Sequence, residues 1–593
     1  HFKINYKILP ELTYDAYFSM KIKTTNNRQF LPQVATGVVW TSEYANQSVD
    51  NSSDNLTMIT ENKLMYRKNW DKKHNLILTG KFMTTQAQSE NYSSKTSGNA
   101  SSGLSDPTIG SVVASIGSGK SETRTYQGTG LLSYTLLDRY VALATLNLEG
   151  NSSMGGSNRT ALFPVLGLSW NSQYEPFLAK YDWLEEAKFR FAVGQSGRAA
   201  KGSAPYLGAF SSLGNYMGMP ALHPSRIQLE NLKWETTTEY NVGTDMAFFN
   251  GRLSFTFDWY QKYTKDLLQK DYSIPSSTGY SDIKYFNSGE MTNKGWEFRA
   301  NATFYENKKN RLRVSGGINF SRNINEVTKL PSNMRQENYT FDNKNYAIRI
   351  EEGRSIGSFY GYRYKGVYQN TDATYARDKN GAIMNDINGK PIIMKNGTFQ
   401  VAPGDAIYED INNDGVINEY DIVYLGNAMP VLTGGADLAL MWRDWNLSAT
   451  FHGRFGHKVI NETRMNNESM YGEKNQSTAT LRRWRNEGDM TDIPRALYKA
   501  GYNYLGSDRF VEDASYLRLK SVSLTYNVPK NVIQKWGINA LSMFITGYNL
   551  LTFTNYTGQN PEIGQPSDPK KLTKDSATTP VSIKFTCGFN LNF

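Results

Sequence analysis

Cysteine is almost absent. Cys587 is the only one in 593 residues, which excludes an internal disulfide framework and any zinc site built on cysteine. Histidine is nearly as scarce, at His1, His74, His223, His452 and His457, leaving little for a histidine-based metal or acid–base centre. No run approaches the roughly 20 apolar residues that a membrane-crossing helix needs. Hydrophobic residues make up 39% of the chain and charged residues 20%, with a mean hydropathy of −0.55, so a bundle of apolar helices is excluded. Basic residues outnumber acidic ones, 65 to 55, but they are scattered, without the clustering of a nucleic-acid footprint. The start, His1 to Ile8, alternates like the middle of a strand and lacks the charged, apolar and small-residue regions of a signal peptide.

Aromatic residues are abundant at 13%, with 38 Tyr and 28 Phe beside 49 Gly. That is too much Tyr, Phe and Gly for a helical protein and too many aromatics for a disordered one. The dominant pattern is a period of two. Val581, Ile583, Phe585, Cys587, Phe589, Leu591 and Phe593 share one face, while Ser582, Lys584, Thr586, Gly588, Asn590 and Asn592 share the other. Leu12, Tyr14, Ala16, Phe18, Met20 and Ile22 repeat the pattern, as do Leu253 to Trp259 and Trp445 to Phe451. After Leu517 and Leu519 the apolar phase shifts to Val522, Leu524 and Tyr526, which is what a β-bulge produces.

Long alternating strands suit a large soluble β protein or a transmembrane barrel, and the connections decide between them. Roughly 17 strand candidates are joined alternately by short turns and long polar segments, the asymmetry of an outer-membrane barrel. The short turns include Leu9–Glu11, Leu137–Asp138, Asn250–Gly251, Arg443–Asp444 and 529–537; the long segments fall around 87–119, 197–233, 265–292, 325–431, 457–511 and 552–579. Trp170, Trp234, Trp259, Trp296, Trp442 and Trp445 are placed for interfacial girdles. The reading is therefore an all-β, antiparallel transmembrane barrel with its long loops outside the cell. Counting hairpins back from 580–593 makes 2–8 run in the same direction as the last strand. Because such barrels have an even strand number, an odd number of strands is expected ahead of residue 1.

Several segments, in order, resemble the C-terminal portion of the SusC/RagA family of TonB-dependent outer-membrane transporters. They are Trp183-Leu184 through Phe189 to Gly197, Leu232 to Gly243 (LKWETTTEYNVG), Gly289 to Glu297 (GEMTNKGWE) and Ile356 to Tyr362 (IGSFYGY). Pro403-Gly404-Asp405, Asp410 to Gly415, Leu425-Gly426-Asn427, Thr491 to Arg495 and the terminal Phe593 follow. The resemblance implies a barrel of about 22 strands closed by an N-terminal plug, so residues 1–593 would be the C-terminal part of one barrel. It further implies a SusD-like surface lipoprotein as partner, TonB acting through a segment not present in this sequence, outer-membrane lipid around the wall, and an oligosaccharide or peptide as cargo. Nucleic acid is not among the expected partners. A secreted all-β glycan-binding or scaffold protein and a passive porin are the alternatives.

One motif has metal-ligand spacing. Asp410, Asn412, Asp414, Val416, Asn418 and Asp421 stand at positions 1, 3, 5, 7, 9 and 12 of an EF-hand-type loop, with Gly415 at position 6 and Ile417 at position 8. The expected ion is calcium, with Val416 contributing its backbone carbonyl, stapling the 325–431 loop region. An ion-free turn capped by Asx hydrogen bonds is the alternative. Ile116 to Ser121 misses the first glycine of a phosphate loop, which is Ala114 here, and Gly194 to Gly197 lacks nucleophile-elbow spacing. His452 and Arg454 alternate with Phe451 and Phe455 and so belong to a polar inner wall. No catalytic site emerges, so the chain is not expected to be an enzyme. Tyr360, Tyr362, Tyr368, Tyr502 and Tyr504, spread through the long loops, are expected to be exposed and to bury against a partner.

Overall fold

The computed structural model describes residues 1–280, 282–331, 340–342, 346–564, 571–577 and 579–593. The remaining parts of the long segments expected at 265–292, 325–431 and 552–579 lie outside the described residues. Seventeen strands form one sheet. In chain order they are β1 (Phe2–Leu9), β2 (Leu12–Leu31), β3 (Gln47–Trp70), β4 (His74–Ser97), β5 (Val112–Leu136) and β6 (Tyr140–Asn151). Then come β7 (Thr160–Asn171), β8 (Leu184–Arg198), β9 (Glu235–Phe248), β10 (Leu253–Lys265), β11 (Glu290–Asn307) and β12 (Leu312–Lys329). The last five are β13 (Leu432–Trp442), β14 (Trp445–Phe455), β15 (Tyr516–Asn527), β16 (Ala540–Thr554) and β17 (Lys584–Asn592). Among the described residues no helix is long and apolar enough to cross a membrane.

The chain divides into two compact units, one of His1–Ala179, Lys188–Val242 and Lys262–Glu290, the other of Lys180–Ala187, Gly243–Gln261 and Met291–Phe593. In the first unit, antiparallel register carries one apolar row across seven strands: Leu12, Tyr66, Leu78, Leu132, Ala144, Leu166 and Val193. The opposite face carries Asp15, Lys63, Lys81, Thr129 and Asn147 side by side. The large apolar side chains of the first face are open to their surroundings, with Phe82 50% and Leu146 55% exposed. A solvent-facing row of this length is tolerable only where the surrounding medium is itself apolar. Toward the short turns the apolar face ends in aromatics, with Tyr140, Trp170 and Phe189 in one row, as an interfacial girdle requires.

The second unit repeats the design. Val314, Leu440, Leu447, Leu524, Ile545 and Cys587 form one apolar row, and Cys587 is exposed on it. Ser448, Ser523, Thr546 and Thr586 align on the other face. The expected bulge is present: Phe451 pairs with Leu519 and Thr450 with Ser521, leaving Lys520 unpaired. His452 and Arg518 stand opposite each other on the polar face.

Connections at one end of the strands range from tight turns, as at Arg443-Asp444 and at Phe249 to Arg252, where Phe249, Asn250 and Gly251 all take positive φ, to the twelve residues of 172–183 and of 528–539. At the other end the connections are 32–46, 98–111, 152–159, 199–234, 266–289, 330–431, 456–515 and 555–583. Two expectations are corrected. The 87–119 segment is mostly strand, because β4 runs to Ser97 and β5 starts at Val112. Polar residues dominate both faces there, and the few apolar ones, such as Tyr92, Val113 and Ile116, keep no alternating phase to mark the strand. Trp234 is not in a girdle: it is buried with Phe163 and Leu232, its indole N–H donating to the Asn158 carbonyl at 2.7 Å.

Candidate functional site

In the second unit the long connections 346–431 and 456–515 fold on one another, joined by 555–564 and 571–577. The core shared by 346–431 and 456–515 holds Tyr360, Tyr362, Tyr368, Tyr408, Ile417 and Tyr502, while Leu572 packs in a second cluster with Phe359, Ile460 and Phe510. The tyrosines expected to face a partner are thus interior: Tyr360 is 1% exposed and Tyr502 3%, and Tyr504 is half-buried. Composition misled here because Tyr buries a large ring while its hydroxyl still reaches a partner. The Tyr408 hydroxyl donates to the Tyr502 carbonyl and accepts from the Leu505 N–H, both at 3.0 Å. The Tyr346 hydroxyl donates to the Ser507 carbonyl at 2.8 Å. Burial pushes Tyr362 and Tyr368 up to about 12.

Charged groups join the connections. Arg495 grips the Asp405 carboxylate with Nε at 2.7 Å and Nη2 at 3.0 Å. Glu468 accepts from Arg464 and Arg509 at 2.9 and 2.8 Å, and Arg464 also reaches Glu512 at 3.1 Å. Glu512 in turn accepts from the backbone N–H and hydroxyl of Thr557. Gly404 admits a close approach: a Cβ there would lie 2.2 Å from the Trp484 ring, and its φ is +89°. The Pro403-Gly404-Asp405 and Thr491 to Arg495 motifs are therefore two halves of one joint.

The 410–421 loop sits on this core. Ile417, at position 8, is fully buried, and its N–H donates to the Lys395 carbonyl at 2.8 Å. Asp410 accepts from the N–H groups of Asp414 at 3.3 Å and Gly415 at 2.8 Å. Asp414 accepts from the Val416 N–H and the Asn412 amide, both at 2.8 Å. Asn418 accepts from the Tyr420 N–H at 2.8 Å. Asp421, wholly buried, accepts from the N–H groups of Ile411 at 2.8 Å and Asn418 at 2.9 Å. Burial raises the Asp421 carboxyl above its ordinary range against those two donors, and the charges of Asp410 and Asp414 add to the rise. The loop thus gathers Asp410, Asn412 and Asp414 by direct hydrogen bonds and holds Asp421 within electrostatic reach. Among the described residues no three His, Cys, Asp or Glu side chains already converge as a metal-holding group. The donor chemistry fits a hard cation, since each carboxylate oxygen keeps a further lone pair.

In the first unit, connections 152–159, 199–234 and 266–289 share a smaller core of Met154, Phe163, Leu232, Trp234 and Tyr285. The Phe163 ring lies across Gly197, where a Cβ would be 1.9 Å away. From this base rises a hairpin, Ala209–Tyr216 paired with Met219–Arg226. Sequence patterning did not single it out, because a bulge at Leu213 breaks its alternation. Phe210, Leu213, Tyr216, Met217, Met219 and Leu222 are each at least 63% exposed.

The family model for the TonB dependent receptor-like β-barrel matches residues 4–402. TonB-dependent receptor P3 of Formosa agariphila is 28% identical over 614 residues, covering 100% of this chain and 58% of the relative. TonB-dependent receptor SusC of Bacteroides thetaiotaomicron is 27% identical over 476 residues, covering 78% of this chain and 43% of the relative. The chain thus spans about half the length of the curated relatives it matches. Among solved structures, the RagAB peptide transporter superimposes with a TM-score of 0.81 at 22% identity, over 99% of this chain and 61% of that chain. A match of this extent to a receptor barrel removes the secreted all-β alternative.

Proposed function

The chain belongs to the TonB-dependent receptor-like β-barrel family of the outer membrane, and on that footing we propose that it forms the C-terminal wall of an energy-coupled importer of oligosaccharides or peptides. One observation carries the reading: in each unit an apolar face and a polar face run through the same strands, and the connections of 14 residues or more all follow strands of even number. The apolar face meets lipid, the polar face lines the passage, and the long connections face outside the cell. This reading assigns the chain no catalysis. TonB acts through a part of the protein outside this sequence.

The partner is a SusD-like surface lipoprotein, and the hairpin at 209–226 is its first point of contact. Four of the five tyrosines assigned to that contact from sequence are buried and Tyr504 is half-buried, whereas the hairpin presents Phe210, Leu213, Tyr216, Met217, Met219 and Leu222 on a stretch, 210–222, without charged residues. Exposed aromatic and Met side chains without charge are the composition of an interface core. An isolated two-stranded hairpin is marginal in water, so a covering surface would stabilise it. The 410–421 loop takes calcium in this reading, through Asp410, Asn412, Asp414, the Val416 carbonyl, Asn418 and Asp421, and the ion offsets the repulsion among three neighbouring carboxylates.

The test is purification of the full-length protein from its native membrane in mild detergent, with uptake assayed in cells with and without TonB. A lipoprotein companion that is lost when residues 210–222 are removed, with TonB-dependent uptake in the parent, is the expected outcome. A barrel that elutes alone and passes solute without TonB would establish a passive porin instead.

A further inference from the structure

On the apolar face of the first unit, a cavity of about 720 Å³ opens where lipid-facing residues give way to polar ones. The cross-strand row Met20, Met58, Gln86 and Arg124 itself changes character from apolar to charged. The neighbouring row, on the short-turn side, is Phe18, Thr60, Thr84 and Tyr126. Beyond it Leu148 and Leu162 pair side by side, 43% and 55% exposed. The cavity itself has an apolar floor of Phe18 and Met58 with the Tyr126 and Tyr206 rings, and a polar rim bearing two guanidiniums, Arg124 and Arg159, against one carboxylate, Glu122.

The site is built from fixed parts. The Tyr126 ring lies across Gly150, where a Cβ would sit 2.1 Å away, and its hydroxyl pairs with Thr160 at 2.5 Å. The Tyr206 ring lies across Gly155 in the same manner, with a Cβ distance of 2.3 Å, and its hydroxyl accepts from Arg159 at 3.4 Å. Arg124 Nε donates to Glu122 at 2.7 Å, and Gln86 donates to the same carboxylate oxygen at 2.8 Å. That contact uses one of the five N–H groups of Arg124 and leaves the rim with one excess positive charge.

We propose that this cavity binds a phosphorylated glycolipid of the outer leaflet, its phosphate between Arg124 and Arg159 and an acyl chain over Phe18 and Met58, leaving the cavity toward the adjoining Leu148 and Leu162. Guanidiniums recognise phosphate by paired N–H donors. The apolar floor explains why the ligand is a lipid: a free phosphate would gain nothing from Phe18 and Met58. The choice of leaflet rests on the outward-facing long connections proposed above, whereas the phosphate contact does not.

The test uses full-length protein stripped of lipid in detergent and then offered monophosphoryl lipid A, its dephosphorylated form or inorganic phosphate. Native mass spectrometry reads what stays bound. The parent should retain one monophosphoryl lipid A and hold the dephosphorylated form about tenfold less, the scale of one charge-assisted contact. R124Q/R159Q should lose that preference while keeping heat-modifiable migration, and R124K/R159K should recover part of it. Equal retention by R124Q/R159Q, or displacement of the lipid by equimolar inorganic phosphate, would overturn the proposal. A periplasmic location for the 98–111 connection would overturn the leaflet alone and leave the phosphate contact standing.

Discussion

Arg495 and Asp405, ninety positions apart, meet through two hydrogen bonds of 2.7 and 3.0 Å, with the carboxylate fully buried and the guanidinium side chain 34% exposed. The pair is unequal, and so are the expected effects of breaking it. Arg495→Ala leaves a buried carboxylate with the Ala402 N–H and the Asn503 amide as its remaining donors, at a cost of about 3–5 kcal/mol. Asp405→Ala frees a guanidinium that can rehydrate, at a smaller cost. Hydrogen exchange over 402–408 and 495–503 should show the larger loss of protection in the arginine variant, with the strands unaffected. Equal losses would contradict this account.

Calcium should slow proteolysis of the 366–430 region, and chelation should restore it, with ligand distances of roughly 2.3–2.6 Å. Asp414→Ala should abolish the response and leave the barrel intact, because the strands keep their own ladder bonds. If calorimetry detects no calcium uptake and chelation changes nothing, the loop is a turn closed by Asx hydrogen bonds.

Acid should loosen the 555–564 segment before it unfolds the sheet. Burial alone would raise the Glu512 carboxyl, but the N–H and hydroxyl of Thr557 and the Arg464 guanidinium hold it below its ordinary value of 4.5. A carboxylate depressed in the folded state contributes stability that is complete above its unfolded value and is lost as pH falls through the folded one. Exchange protection at Thr557 should therefore hold at pH 6 and fall at pH 3, and Glu512→Gln should flatten that dependence.

Cys587 offers a native probe of the lipid face. A bimane attached there should be quenched by brominated acyl chains and spared by aqueous iodide. The reverse would place the row from Val314 to Cys587 against water.

Orientation is open to direct labelling. Tags at Ser102 and Asn475 should react on intact cells, and labelling only after rupture of the outer membrane would invert the assignment.

Where one face of a strand is apolar, the fold was legible in the sequence, down to the register change at Lys520, because side-chain alternation has a fixed period. Legibility ended where both faces are wet. The upper halves of β3 to β5 are rich in Ser, Asn, Gly and charged residues on both sides, with only scattered apolar ones such as Val49, Tyr92 and Ile116, and look like loop. The tyrosines of the connections were misassigned for a related reason: periodicity does not report burial in irregular structure, so Tyr360 and Tyr502 could not be told from surface aromatics. The Asp410 to Asp421 spacing was visible, but the joint of Gly404 with Trp484 and of Asp405 with Arg495 is a matter of tertiary contact.

Strands β3 to β5 run for 24, 24 and 25 residues, whereas crossing a bilayer takes about 9–11. The surplus amounts to on the order of 40 Å of strand at the usual rise. With the long connections outward, the 32–46 and 98–111 tips stand clear of the lipid headgroups. In that orientation an antibody or a phage fibre approaching the cell would meet these tips before it met the lipid-facing wall. A substitution at these tips would leave the apolar rows of the wall beneath untouched.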